Sequence, residues 1–323
     1  MLVCMLVNMV VCQFELSVGW HHFGNYFYAL TNSLIAAKQC KKMCVVVQPN
    51  PNEIFAKTPK RIVFNEDRNL SGNLKKIAGS YFGKEIEKHI AMSGGGRISW
   101  QNRAAAICPF EKSIIPNKKG FENKSAEHEH FTDEHTLVAH LRSGDIFMPT
   151  SMNPKDWNAP AGSTKYWQPP LGYYQFVARQ YSKIAICSQS TNNPVVNAFY
   201  RWCKETRGHQ NCLLRTHRPL VDDVAFFFKA RNLAFGHGTF GAAIYAISHS
   251  LRRCYFPSSA LVGFTSGNNA APDCVGRSKI QVVNVSYNTT RVTLNAPWQS
   301  TPLQVKALLA EELELGMFRE HFP

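Results

Sequence analysis

Negative charge is what this sequence has least of. Asp and Glu number 22 against 36 Lys and Arg, a formal net charge of +14 before any histidine is protonated. The field around such a molecule gathers anions, which admits nucleotide diphosphates, nucleic acids and acidic membranes as partners. Nucleic acid is set aside, because the chain has neither a basic helix nor aromatics interleaved along a basic strand. Charged residues of both signs make up only 18% and hydrophobic ones 45%, which excludes disorder as the overall description. A run of ~20 apolar residues, long enough to span a bilayer, is also missing. The nearest approach, residues 1–12, is broken by Asn8 and has no basic leader. It is expected to be a first buried strand or the remnant of a signal or anchor whose start is missing, so membrane association is expected only through such an anchor.

Metal-binding spacing is equally absent. The ten cysteines lie far apart, and the one close pair, Cys40 and Cys44, lacks the interval of a metal ribbon. His128, His130 and His135 sit in a Glu-rich polar stretch and read as a solvated linker. Gly94-Gly95-Gly96-Arg97 lacks the Gly-Lys-Ser/Thr ending of a P-loop and reads as a turn. No internal repeat or low-complexity tract is visible.

What is present is enough chain, 323 residues, for one large domain or two modest ones. The apolar opening to Val18, then 25–38 and 43–47, read as strand, helix, strand around a glycine-rich corner from Gly19 to Gly24. In the helix Phe27, Leu30, Leu34 and Ile35 recur at three- to four-residue intervals, with Thr31, Asn32 and Lys38 elsewhere, which predicts one apolar face. After an irregular region to Asp133, strands are expected at 136–141, 184–187, 212–214, 233–235 and 253–256, the last closing the unit. Helices at 195–205, 220–228 and 240–248 alternate with them; Thr239 is a candidate N-cap. Such alternation predicts an α/β fold with a mostly parallel sheet, ligands binding beyond the carboxyl ends of its strands. The hinge is placed near Asp133, giving domains 1–133 and 134–323.

Three expected strand ends offer backbone NH groups or an arginine to an anion. Gly24-Asn25 opens the first helix, where a helix N-terminus attracts negative charge. His140-Leu141-Arg142-Ser143-Gly144-Asp145 follows a buried strand, and the planar fork of Arg142 matches phosphate oxygens; an Arg142 to Asp145 loop ion pair is the alternative. Gly236-His237-Gly238-Thr239-Phe240 places two glycines and a hydroxyl at a strand-to-helix turn that can aim amides at one anion. Asp222 and Asp223 occupy a helix first turn, where carboxylates suit the macrodipole; without a D-x-D strand end they do not suggest a metal pair.

In this order, joined by Ala230-Arg231-Asn232-Leu233 and by Gln168-Pro169-Pro170-Leu171, these segments resemble the fucosyltransferases that carry an H-x-R motif, the α-1,2-, α-1,6- and protein O-fucosyltransferase groups. The resemblance spans most of the chain. It implies a GT-B-like architecture, two Rossmann-like domains with a cleft between them, the first on the acceptor side and the second holding GDP-fucose. It further implies inverting, metal-independent transfer of fucose to a hydroxyl of a glycan or glycoprotein, with no cofactor. By position, Gly24, Asn25 and Arg142 would face the diphosphate, His140 would support the nucleotide, and Gly238, Thr239 and Phe240 would form a second cradle. Asp222 or Asp223 would accept hydrogen bonds from the guanine edge. Candidates for the acceptor's base are Asp145, His21 and His22. Where relatives often carry two adjacent arginines, Arg142 is followed here by Ser143, which also admits a silent nucleotide- or glycan-binding protein on the same scaffold. The family works mostly in the Golgi or endoplasmic reticulum lumen. The cysteines and four sequons, at Asn69, Asn123, Asn284 and Asn288, agree with that placement, although reduced cysteines and unused sequons fit them equally.

Overall fold

A computed structural model describes residues 14–18, 26–27, 30–35, 43–47, 60–63, 100–110, 130–144, 147, 166–236, 239–257, 267–269, 280–285, 293–294 and 300–310. The chain divides into two compact units, Met1–Lys118 and Lys119–Pro323. Asp133, where the sequence suggests a hinge, lies inside the second unit. There its carboxylate accepts from the Thr136 hydroxyl at 2.7 Å and pairs with Lys183 at 2.8 Å, fastening the starts of two strands.

In the first unit, β1 (Phe14–Val18) and β2 (Met43–Val47) are parallel, with Phe14 opposite Met43, and β3 (Lys60–Val63) adds antiparallel to β2. Helical turns at 26–27 and 30–35 lie between β1 and β2, so the expected β-α-β opening is present. The helix is not apolar on one side only. Thr31 and Asn32 are as buried as Phe27 and Leu30, because Arg103 of α1 (Trp100–Ile107), itself buried, donates to the Thr31 hydroxyl at 3.1 Å and to the Asn32 carboxamide. Buried polar groups persist when they are hydrogen-bonded, and here the partner comes from about seventy residues away.

The second unit is built on one sheet. Its six parallel strands are β4 (Thr136–His140), β6 (Lys183–Cys187), β7 (Cys212–Arg215), β8 (Asn232–Phe235), β9 (Arg253–Pro257) and β11 (Ile280–Val285). A short antiparallel strand, β10 (Gly267–Asn269), borders β11, and β5 (Tyr166–Trp167) pairs separately with β12 (Thr293–Leu294). The sheet order is β10-β11-β9-β8-β4-β6-β7. Numbered by appearance, the parallel strands therefore run 3-2-1-4-5-6, the doubly wound Rossmann order. The sheet does not close at β9 as expected from the sequence; β11 continues it, its residues Val282, Val283 and Val285 buried.

The helices are α2 (Leu171–Ala178), α3 (Pro194–Arg207), α4 (Leu220–Lys229), α5 (Thr239–Ile247) and α6 (Pro302–Leu308). α2 packs on α3 and α4 on α5. Right-handed crossovers put these two pairs on opposite faces of the sheet. Both faces are thus covered, which is why β8 reads Asn-Leu-Ala-Phe with every residue buried and shows no polar alternation. In α3 the buried residues Val195, Val196, Phe199 and Cys203 form one stripe, and Asn193 and Pro194 supply the N-cap and first-turn proline of a well-defined start. Cys203 at the end of α3 and Cys212 at the start of β7 are joined in a disulfide, while Cys187 and Cys254 are buried free thiols.

Candidate functional site

In a sheet of this order the crevice lies between the first and fourth parallel strands, where successive connections leave in opposite directions. Those strands are β4 and β8, adjacent and in register, with His140 opposite Phe235 at their carboxyl ends. Two segments read separately from the sequence as anion sites, 140–144 and 236–240, are therefore the two lips of one crevice. The contact is direct: the His140 imidazole stacks on the Phe240 ring with centroids 4.6 Å apart, and Phe227 of α4 meets His140 edge-on at 5.6 Å. Burial and the neighbouring charge of Arg142 lower the His140 pKa to about 3, so the imidazole stays neutral through the physiological range.

The Arg142 lip is fastened from the adjacent loop. Leu141 N donates to the Cys187 carbonyl at 2.9 Å, and the Asn193 carboxamide donates to the Arg142 carbonyl at 2.9 Å. The Ser143 hydroxyl lies 2.8 Å from that of Ser190 and accepts from Asn193 N at 3.2 Å. Ser143 is 2% exposed. Ser143 is thus a buried anchor of this loop. Gly144 follows with φ of 71°, a conformation open to glycine at little cost.

The opposite lip carries a spacing the reading of 236–240 did not exploit: Gly236, Gly238 and Gly241 fall as G-x-G-x-x-G between a strand and a helix. In that pattern the third glycine allows close helix–strand packing. A Cβ on Gly241 would sit 2.4 Å from the Phe235 ring, so α5 can lie this close to β8 only with glycine there. Gly236 is approached as tightly, its absent Cβ being 2.9 Å from Pro169 Cδ. The Gln168-Pro169-Pro170-Leu171 segment therefore braces this turn, helped by the Tyr173 hydroxyl, which donates to the Phe235 carbonyl at 3.2 Å. Beside it Gln168 is buried, and its Nε2 has no hydrogen-bond partner among the described residues. An orphaned buried donor costs on the order of 1–3 kcal/mol, which a ligand acceptor would relieve.

From His140 the carboxyl edge of the sheet continues in register to Cys187 and then Arg215. From Phe235 to Arg215 is three inter-strand steps, about 14 Å at ~4.8 Å each. At the far end Arg215 pairs with Asp223 at 3.4 Å and lies over the Phe226 ring, its centre 4.4 Å from the centroid. Burial pushes the Asp223 carboxyl up to about 6 despite Arg215. Asp223 thus stands at the far end of the same edge, with one carboxylate oxygen held by Arg215. Asp222 occupies the same first turn of α4, and its carbonyl accepts from Arg215 at 3.5 Å.

His21, His22, Gly24, Asn25, Asp145, His237 and Gly238 lie outside the described residues, and of Thr239 only its place opening α5 is described. Arg231 and Asn232, part of the resemblance, serve the opposite end of the sheet. The Asn232 carboxamide donates to the Glu134 and Thr136 carbonyls, each at 3.0 Å, and Arg231 pairs with Glu134 at 3.1 Å. Among the described residues no group of His, Cys, Asp and Glu could hold a metal ion. Gln168 belongs to the Gln-Pro-Pro-Leu segment of the resemblance; Asn193, Ser190 and Arg215 were not picked out by sequence, and of these only Asn193 had a signal, the Asn-Pro pair that starts a helix.

No protein-family model matches the chain, and no curated protein matches it.

Proposed function

We propose that this chain is a fucosyltransferase-like enzyme that binds GDP-fucose along the carboxyl edge of the second unit and transfers fucose to a hydroxyl of a glycan or glycoprotein. The observation that carries the reading is the stack of His140 on Phe240, which unites the Arg142 loop and the glycine turn at one crevice. The diphosphate would lie between them, and the nucleoside would run over Cys187 toward Arg215 and Asp223. The first unit, with its β-α-β opening, would complete a GT-B arrangement and receive the acceptor.

The chemistry follows from this placement. The acceptor oxygen attacks the sugar carbon from the face opposite the diphosphate, the carbon–oxygen bond to the β-phosphate breaks, and GDP leaves with the electron pair. Negative charge grows on the phosphate as that bond lengthens. The Arg142 guanidinium and the amides that open α5 would meet that charge as donors, favouring the transition state over the bound ground state. Neutral His140 holds the crevice wall without adding a charge that would move on titration. The acceptor's proton passes to a base, for which Asp145, His21 and His22 remain the candidates. The reading needs no metal ion or cofactor. The Cys203–Cys212 disulfide favours an oxidising compartment, the Golgi or endoplasmic reticulum lumen. No helix among the described residues is long and apolar enough to cross a membrane.

The test is calorimetric titration with GDP-fucose, GDP-mannose and UDP-GlcNAc, with Arg142→Ala in parallel, and an assay of fucose transfer on the same samples. Selective GDP-fucose binding, weakened at least about tenfold by Arg142→Ala, together with transfer is the expected result. Ser143, which leaves the loop one cation short of the resembling enzymes, favours a second reading as a silent binder; that reading predicts binding with no turnover. Absence of nucleotide binding would overturn the enzyme reading and the nucleotide-binding form of the second, leaving a glycan binder on this scaffold.

A further inference from the structure

Arg142 is only as well aimed as the backbone that carries it. Its carbonyl is held by Asn193, 51 residues along the chain, and the two polar atoms of that one side chain have different tasks. Asn193 Oδ1 accepts from Val195 N at 3.0 Å and caps α3. Asn193 Nδ2 donates to the Arg142 carbonyl at 2.9 Å, and the backbone NH of Asn193 reaches the Ser143 hydroxyl. Asn193 is 2% exposed, so water competes little for these bonds. The same segment is also tied by the Leu141 bond to Cys187 and by the Ser143 hydroxyl to that of Ser190, and it ends at Gly144, where the backbone turns through a positive φ.

We propose that Asn193 is a positioning residue for the diphosphate: through its Nδ2 it fixes the backbone of Arg142, and so the line along which the guanidinium meets the leaving group. This rests on the reading of the β4–β8 crevice as the nucleotide site. The physical reason is that a guanidinium stands at the end of a long, rotamer-rich side chain. A small tilt at its Cα becomes a displacement of an ångström or more at the fork, enough to degrade a bidentate contact.

The two tasks can be separated in one substitution. Asn193→Asp has the same size and keeps the cap acceptor, for which Asp and Asn rank equally, and a carboxylate at a helix N-terminus is favoured. It removes the donor and sets an anionic oxygen against the Arg142 carbonyl. Wild type, Asn193→Asp, Asn193→Ala and Arg142→Ala are compared as the full chain by thermal melting and by calorimetric titration with GDP and with GMP. The expected result is that Asn193→Asp stays folded with a lowered melting temperature and binds GDP about tenfold more weakly, with little change for GMP, which lacks the β-phosphate. Asn193→Ala loses melting temperature and GDP affinity together. A merely structural role would lower melting and both affinities alike, and GDP affinity unchanged in a folded Asn193→Asp would overturn the proposal. Should Asn193→Asp not fold, Asn193→Ser, which keeps a capping oxygen for Val195 N and lacks the Nδ2 donor, carries the same test with the same two outcomes. If wild type and Arg142→Ala bind GDP equally, or neither binds it, the underlying nucleotide reading fails instead.

Discussion

Asp223 holds a carboxyl where water barely reaches it, and its charge is tolerated only because Arg215 stands 3.4 Å away. Burial nevertheless wins, raising its pKa from 3.8 to about 6, with Asp222 adding to the rise and Arg218 opposing it. The sign of the pH effect follows. Below about pH 4 the group is protonated both folded and unfolded, and above pH 6 it is ionised in both. Between these values the folded chain keeps a proton that the unfolded chain releases, so stability falls as pH rises through the window. Wild type is therefore expected to gain stability relative to Asp223→Asn as pH is lowered from 6 to 4, with no such trend above 7. Urea unfolding of both proteins across that range checks this, and a difference independent of pH contradicts it. At this scale the sequence was informative where a residue's place in a strand-to-helix turn dictates its task. His140, Arg142 and Phe240 could be named from their place after a buried strand or in such a turn. Asn193 could not, because its partner Arg142 is brought beside it by the pairing of β4 with β6 and not by spacing along the chain, and Arg215 meets Asp223 only through the turn from β7 into α4.

At the scale of elements, α5 lies so close to β8 that only glycine fits at position 241. A Cβ on Gly241 would meet the buried Phe235 ring at 2.4 to 2.7 Å, and neither the helix nor the ring has open space to yield into. Gly241→Ala is expected to destabilise the chain by about 1–3 kcal/mol, the usual cost of overpacking, despite the higher helix propensity of alanine. Chemical denaturation measures it; an unchanged or raised midpoint would mean that α5 can move off the sheet freely. The elements of the alternating pattern were legible because each has its own period: α3, β6, β7, β8 and β9 appear within a few residues of where hydrophobic spacing puts them. Two things were not. β11 lies beyond 253–256, where the alternating pattern is expected to close, although its residues Ile280–Val285 are buried or half-buried as a covered strand requires. The burial of Thr31 and Asn32 depends on Arg103, which no local period announces.

At the scale of the whole molecule, the second unit owes its site to strand order. Once β8 pairs with β4 on the side away from β6, the loops after β4 and β8 must face each other across a crevice, and the residues of both become one site. Alternation of strands and helices was readable, and so was a parallel sheet; the 3-2-1-4-5-6 order was not, since hydrophobic runs say which segments are strands and not which are neighbours. The positive charge of the chain suits an anionic ligand at that edge without locating it. The claim on which the account depends is that a nucleoside diphosphate lies between these two loops. Hydrogen–deuterium exchange of the full chain with and without GDP tests it most directly. The account predicts slowed exchange confined to the amides of 141–144 and 236–241, with a weaker effect around 215–223. Slowed exchange elsewhere with none at these loops, or no response to GDP, would contradict it.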